Sequence, residues 1–228
     1  MTHGICHVSQ IPIRSHPASN AEMVSQLLYG ETYRILKSEN DWSFIAMDYD
    51  GYEGWISNAS IYHWTQEVPR YTQLDILQHT ISDLCNQPLC SSMGSQLVIE
   101  KKISTQSISE IAKKFLGSPY LWGGRHFSGI DCSGFVQVVY KCVNILLPRD
   151  ASQQQKQGKA VPFADLFEGD LVFFENNNRV THVGIFIGDG QIIHAHGMVR
   201  MDSIQKEGIL NVQTQEQSHT YHSAKRIR

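Results

Sequence analysis

An excess of charge of either sign is what this 228-residue chain most plainly lacks: 19 Lys plus Arg stand against 22 Asp plus Glu, a formal net charge of −3. That balance offers no electrostatic footprint for nucleic acid or for an anionic membrane surface, so neither is expected as a partner. Long apolar runs are missing too. None approaches the ~20 residues needed to cross a bilayer, and the first twenty residues have no basic segment followed by an apolar stretch. The expectation is a cytoplasmic protein. No Cys-x-x-Cys pair occurs, which removes the usual ligand spacing of a structural zinc knuckle. Cysteines are few, odd in number and scattered: Cys6, Cys85, Cys90, Cys132 and Cys142. This argues against a disulfide framework and reduces the question to whether one thiol is special.

What is present suffices for a sizeable core, since 41% of the residues are apolar, and the length suits one large domain or two small ones. Residues 1–65 read as short strands separated by turns. Glu31 to Leu36 alternates, Trp42 to Met47 carries β-formers, and Asp50-Gly51 predicts a hairpin turn before Tyr52 to Ile56. Strands this short and this closely spaced suggest a small β-barrel. Residues 66–104, with turn chemistry at Asn86-Gln87-Pro88 and Ser91 to Ser95, read as a linker or an extension of that domain holding one helix and one strand.

From residue 105 the pattern sharpens. Ser107-Ile108-Ser109-Glu110 predicts a capping box, followed by one apolar helical face of Ile108, Ile111, Ala112 and Phe115 and a stop at Gly117. Phe135, Val138, Val139, Cys142 and Leu146 predict a second helix that ends at Pro148. Leu171 to Phe174, Val180 to Ile187 and Gln191 to Ala195 are β-rich, the last two joined through Gly188-Asp189-Gly190. Helices first and an antiparallel sheet afterwards make residues 105–228 an α+β domain.

Cys132 falls in the first turn of the second helix, directly after Asp131, a good N-cap residue. The unpaired amides of a helix start favour a thiolate, so this cysteine is placed for nucleophilic chemistry, whereas Cys142 lies on the apolar face and reads as core. A nucleophilic thiol needs a base and a group that orients the base. With a Gly188–Gly190 loop, His182 lies opposite His196 and diagonal to His194, so that all three share one sheet face within about 5 to 8 Å. A Cys/His/His arrangement follows, with His194 and His196 both open as the orienting residue. Zinc bound by Cys132, His182, His194 and His196 is a rival reading, but adjacent-strand ligands and a helix-start cysteine match no common zinc spacing. Histidines merely lining a solvated sheet face are another.

The run Pro119-Tyr120-Leu121-Trp122-Gly123-Gly124, then Asp131-Cys132-Ser133-Gly134-Phe135, Gly169 to Phe174, His182 to Gly188 and Ile193-His194-Ala195 resembles the NlpC/P60 family of papain-like cysteine peptidases. Tyr52-Glu53-Gly54-Trp55-Ile56 resembles a bacterial SH3 (SH3b) domain, and the order of the two looks most like the γ-D-glutamyl-L-diamino acid endopeptidases of murein peptide recycling. The resemblance implies a papain-like domain behind an SH3-like barrel. It implies Cys132 as nucleophile, His182 as base and His194 as third residue, with Tyr120 near the oxyanion and Trp122, Asp131 and Ser133 lining the pocket. Asp150 is implied to face the substrate's free amine, with Glu22 and Tyr52 closing the pocket from the first domain, or Glu53 and Tyr49 in their place. The implied partner is a free murein peptide, L-Ala-γ-D-Glu followed by diaminopimelate or Lys, cut by a monomer that needs no cofactor or metal. Other classes remain open on residues alone: a wall-binding protein tethered by its SH3b half, an exported peptidoglycan hydrolase, or an amidase or acyl transferase on the same fold.

Overall fold

A computed structural model describes residues 2–64, 72–73, 77–82, 88–97 and 106–227. Its first half contains six antiparallel strands: β1 (Thr2–Ile5), β2 (Gln10–Arg14), β3 (Met23–Leu28), β4 (Thr32–Glu39), β5 (Trp42–Met47) and β6 (Glu53–Ser57). They pair in the order β1-β4-β5-β6-β2-β3 around a core of Cys6, Ile11, Ile13, Leu27, Tyr33, Ile45, Met47 and Ile56. The Asp50-Gly51 turn forms as its residues dictate, with Asp50 Oδ1 accepting the Tyr52 amide at 2.9 Å and Gly51 in the left-handed region at φ 74°.

Between the halves come four short strands, β7 (Thr72–Gln73), β8 (Gln78–Ser82), β9 (Pro88–Ser92) and β10 (Gln96–Leu97), paired as β8-β9 and β7-β10. Among its described residues this stretch has no helix, against the expectation of one. The turn chemistry of Ser91 to Ser95 wins locally. Cys85 and the Asn86-Gln87 turn lie outside the described residues. Met93, between β9 and β10, is fully buried with Leu28 of β3 in the interior of the second half, so the β9–β10 turn is packed into the molecule.

The second half opens with α1 (Ile108–Lys113). Its capping box forms as expected, Ser107 Oγ accepting from the Glu110 amide and Glu110 from the Ser107 amide. A two-residue ribbon follows, β11 (Arg125–His126) with β12 (Gly129–Ile130), and then α2 (Cys132–Cys142) and α3 (Ala151–Gln154). The helix α2 stops four residues before Leu146. Asn144 adopts φ 58° and turns the chain out, so Leu146 is 61% exposed and Leu147 takes the buried place instead. Seven strands complete the domain: β13 (Lys159–Val161), β14 (Leu171–Asn176), β15 (Arg179–Gly188), β16 (Gln191–His196), β17 (Met198–Gln205), β18 (Gly208–Leu210) and β19 (Gln217–Arg226). Because β19 pairs with β18 as well as with β14, the strands β14 to β19 close on themselves. Alternation sends Val183, Ile185, Ile193 and Ala195 to the core shared with α2, and Phe174, Phe186, Ile192 and Ile204 to a second core on the other face of the sheet. The protein is thus α+β, a papain-like domain preceded by an SH3-type domain.

The two halves are held by polar contacts as well as apolar ones. Glu31, at the β3–β4 turn, is fully buried against Arg125 at 2.8 Å and Lys141 at 2.5 Å, while Gln26 of β3 accepts the Arg125 amide at 2.7 Å. Gly123 shows how close the approach is: its φ is +77°, and a Cβ there would meet the Met23 carbonyl oxygen at 2.3 Å. Gly123→Ala is therefore expected to destabilise by about 2 kcal/mol, visible as a fall of roughly 4–8 °C in Tm by calorimetry. An unchanged Tm would mean that the loop can withdraw from Met23.

Candidate active site

Cys132 is the first residue of α2, and its position is set by Asp131. This carboxylate caps the helix through the Gly134 amide at 2.7 Å, accepts the Gly123 amide at 2.8 Å, and takes both Arg149 guanidinium nitrogens, at 2.9 and 2.5 Å. Arg149 also donates to Ser133 Oγ at 2.9 Å and, across the domain boundary, to Ser25 Oγ at 3.2 Å. Asp131 and Ser133 border the cavity in front of Cys132. With its oxygens occupied in this way, Asp131 is suited to hold the Cys132 turn rigid rather than to grip a ligand.

The expectation of a thiol made acidic by the helix start is reversed. Burial and the adjacent Asp131 carboxylate push Cys132 up to about 12, against the smaller pull of the Val183 and Ser133 amides and of Arg149. The Val183 amide belongs to the residue after His182, which places the sulfur beside the middle of β15. His182 itself is held well below its ordinary 6.5 by burial and by its imidazole neighbours His194, His219 and His196. Cysteine and histidine therefore both rest neutral near pH 7, and the thiolate must be made as the proton leaves for the imidazole.

The β15–β16 register is the one expected, with Gly184 opposite His194, although a bulge near Phe186 shortens the loop to Asp189-Gly190. Of the two candidates for orienting residue, His194 makes the bond: its Nδ1 lies 2.8 Å from His182 Nε2. His196, at the exposed end of β16, keeps its ring centre 6.5 Å from that of His182. Two residues escaped the sequence reading. Asp202 of β17 lies 3.0 Å from His194 Nε2, and His219 of β19 stacks on His182 at 4.1 Å. The ring nitrogens of His182, His194 and His219 come within 4.8 Å of one another. Both His194 nitrogens are engaged, however, and stacked rings 25° apart direct their in-plane lone pairs side by side rather than at one point, so the set is an imidazole network.

In front of Cys132 lies a cavity of about 480 Å³ whose walls come from both halves of the chain. The second half contributes Trp122, Asp131, Ser133, Arg149, Asp150, Ala151, Val180 and Thr181; the first contributes Glu22, Val24 and Tyr52. Trp122 donates to Glu22 Oε1 at 2.6 Å, tying the two walls together. Of the alternatives, Tyr49 lies beneath, its ring against Arg125 and Lys141, and Glu53 is exposed. Asp150 occupies the N-cap position of α3 yet makes no side-chain cap bond, which leaves its carboxylate to the cavity. Burial raises its pKa, with Arg149 pulling the other way. Burial also raises Tyr52, beside Asp150, to about 12, and Tyr120, whose hydroxyl senses the Cys132 sulfur, to about 12.

Comparison with known proteins agrees with this geometry. Residues 117–218 match the NlpC/P60 family, and residues 13–61 match the bacterial dipeptidyl-peptidase SH3 domain. The chain is 28% identical to a gamma-D-glutamyl-L-lysine dipeptidyl-peptidase of Bacillus subtilis over 75% of its own length and 71% of that protein's. It is 29% identical to the Bacillus cereus protein of the same name, over 76% and 67%. A crystal structure of an NlpC/P60 family protein from Bacillus cereus superposes with a TM-score of 0.84 over 99% of each chain at 20% identity, a likeness of fold. The chain thus carries an NlpC/P60 domain, with its closed sheet, two bonded histidines and helix-start cysteine, behind a bacterial SH3 domain that walls the cavity.

Proposed function

We propose that the protein is a cysteine peptidase that cuts the bond between γ-D-glutamate and the following diamino acid in free murein peptides such as L-Ala-γ-D-Glu-diaminopimelate. The observation that carries the reading is the cavity: the nucleophile candidate opens into a space walled in part by Glu22 and Tyr52 and holding the Asp150 carboxylate that no helix cap consumes. A half-buried carboxylate without a capping partner is a receptor for an ammonium group, and an N-blocked peptide would leave it unpaired.

Substrate binds with its free amine toward Asp150 and Glu22 and its γ-carbonyl against Cys132. The sulfur attacks as its proton passes to His182. The oxyanion that develops is met by the Cys132 backbone amide and the Tyr120 hydroxyl, each such donor worth ~3 kcal/mol. His182 then protonates the leaving amine of the diamino acid, the acyl group stays on sulfur as a thioester, and water activated by His182 releases L-Ala-D-Glu. Selectivity for a free amine fits the recycling of peptides already detached from glycan, and the cytoplasm is the compartment we assign to it. No helix among the described residues is long and apolar enough to cross a membrane.

Mass spectrometry of products from the tripeptide and from its N-acetylated form tests the reading. Release of L-Ala-D-Glu from the free peptide alone is the expected result, and equal cleavage of both would refute the amine requirement. Asp150→Ala should lower kcat/KM on the free-amine substrate by roughly 10- to 100-fold, the loss of one charge-assisted hydrogen bond, while alkylation of Cys132 by iodoacetamide proceeds at the normal rate. A parallel fall in both would make Asp150 a structural residue.

A further inference from the structure

We propose that Asp202 is a positioning residue that sets the tautomer of the His194–His182 pair and so leaves His182 with its free lone pair toward Cys132. The inference rests on the cysteine-peptidase reading. Asp202 is 2% exposed and lies two residues along β17 from Arg200, the residue paired with His194 across the β16–β17 ladder. One carboxylate oxygen meets His194 Nε2 at 3.0 Å; the other accepts the Val212 amide at 2.9 Å. Arg200 lies 2.7 Å from the same carboxylate and is itself held by Asn211 Oδ1 at 2.9 Å. The charge of Asp202 is therefore balanced by Arg200 and does not require a protonated His194.

An ionised carboxylate can only accept, so the proton of neutral His194 sits on Nε2. Its Nδ1 is then an acceptor and fixes the proton of His182 on Nε2, 2.8 Å away. The one remaining lone pair of that imidazole is on His182 Nδ1, the nitrogen opposite the His194 bond. Each link admits a single proton arrangement once Asp202 is charged. Without Asp202, His194 can turn its proton to Nδ1 and offer it to His182 Nε2, which moves the His182 proton to the nitrogen that must act as base. The charged and titratable groups acting on the pair are His196 from β16, His219 from β19, and Arg200 and Asp202 from β17, while Cys132 of α2 lies against the amide of Val183, the residue after His182. Of these only Asp202 is a carboxylate bonded to either ring.

The test combines a spectroscopic and a kinetic readout on the full chain. In ¹⁵N-histidine-labelled wild-type protein at pH 7, long-range ¹H–¹⁵N spectra should show His182 and His194 both protonated at Nε2; a proton on His194 Nδ1 would overturn the proposal. Asp202→Asn preserves shape and should lower kcat by about 10- to 100-fold, the scale of losing the outer partner of a functional imidazole, with KM within a factor of about three, because Asp202 does not touch the cavity. Alkylation of Cys132, followed on its own peptide by mass spectrometry, should slow by the same factor and its pH profile should shift. Since alkylation needs no peptide substrate, it distinguishes a failure of this inference from a failure of the substrate assignment. Full alkylation rate and full kcat in the folded Asp202→Asn protein would reduce Asp202 to a structural role.

Discussion

Cys132→Ala is expected to abolish release of L-Ala-D-Glu, with a fall in kcat on the order of 10⁶, the loss seen when the nucleophile of a serine or cysteine triad is removed. The adjacent Ser133 and tyrosine hydroxyls cannot take the sulfur's place. The Ser133 hydroxyl is bonded to Arg149 and Asp131, and Tyr120 and Tyr52 are both held near 12, far from nucleophilic at neutral pH. The variant should still fold. Alanine is a better helix former than cysteine, and the Asp131 cap uses backbone amides of Gly134 and Gly123 that the change leaves alone. Product formation by mass spectrometry, beside a melting curve within a few degrees of wild type, is the check. Activity near the wild-type level would place the nucleophile elsewhere. Because the resting pair is neutral, the wild-type rate of Cys132 alkylation should also climb steadily as pH rises above 7, without the low-pH plateau of a preformed thiolate–imidazolium pair.

The second large effect concerns stability. Glu31→Gln should destabilise the protein by about 3–5 kcal/mol, because it strands two buried cations that share one carboxylate; at this chain length that is a fall in Tm of roughly 10 °C. Glu31, Arg125 and Lys141 have no exposed side-chain surface. Burial by itself would push Glu31 up, but Arg125 and Lys141 outweigh it and hold the carboxylate at about 2 against an ordinary 4.5. A depressed carboxylate stabilises above its ordinary value and loses that contribution as pH falls from about 4.5 toward 2. The wild type should therefore lose stability steeply across that window and Glu31→Gln less so. Burial and the adjacent Arg125 keep Lys141 below its usual value even with Glu31 present. Adding Lys141→Met to Glu31→Gln should accordingly recover part of the loss in calorimetry. A Tm unchanged by Glu31→Gln would show that the cluster is solvated in solution.

Much of the candidate site can be read from the chain because its parts are local. Asp131-Cys132 needs only a helix start, and His182, His194 and His196 need only one hairpin with alternating faces. Selecting His194 over His196 took the family resemblance, since both share a face and only a side-chain bond separates them. Asp202 and His219 carry no such local mark. Asp202 reaches His194 through a further turn and the register of β17, and His219 arrives on the last strand, whose return beside β14 and β18 nothing in its own sequence announces. The thiol's shift was misjudged for a related reason: a helix start is visible in sequence, whereas burial beneath neighbouring elements, the larger influence on Cys132, is not. Leu146 continued an apolar period that Asn144 cut short, a reminder that one residue able to adopt positive φ ends a helix whatever follows it.

Leu28 comes from the SH3-type domain and Met93 from the segment between the halves, yet both are packed with Val138 and the rest of α2 in the interior of the peptidase domain. The SH3-type half is thus not a detachable tether. Exchanging it for another domain would open a hole beneath the helix that begins with Cys132, so the two halves can diverge in sequence only together.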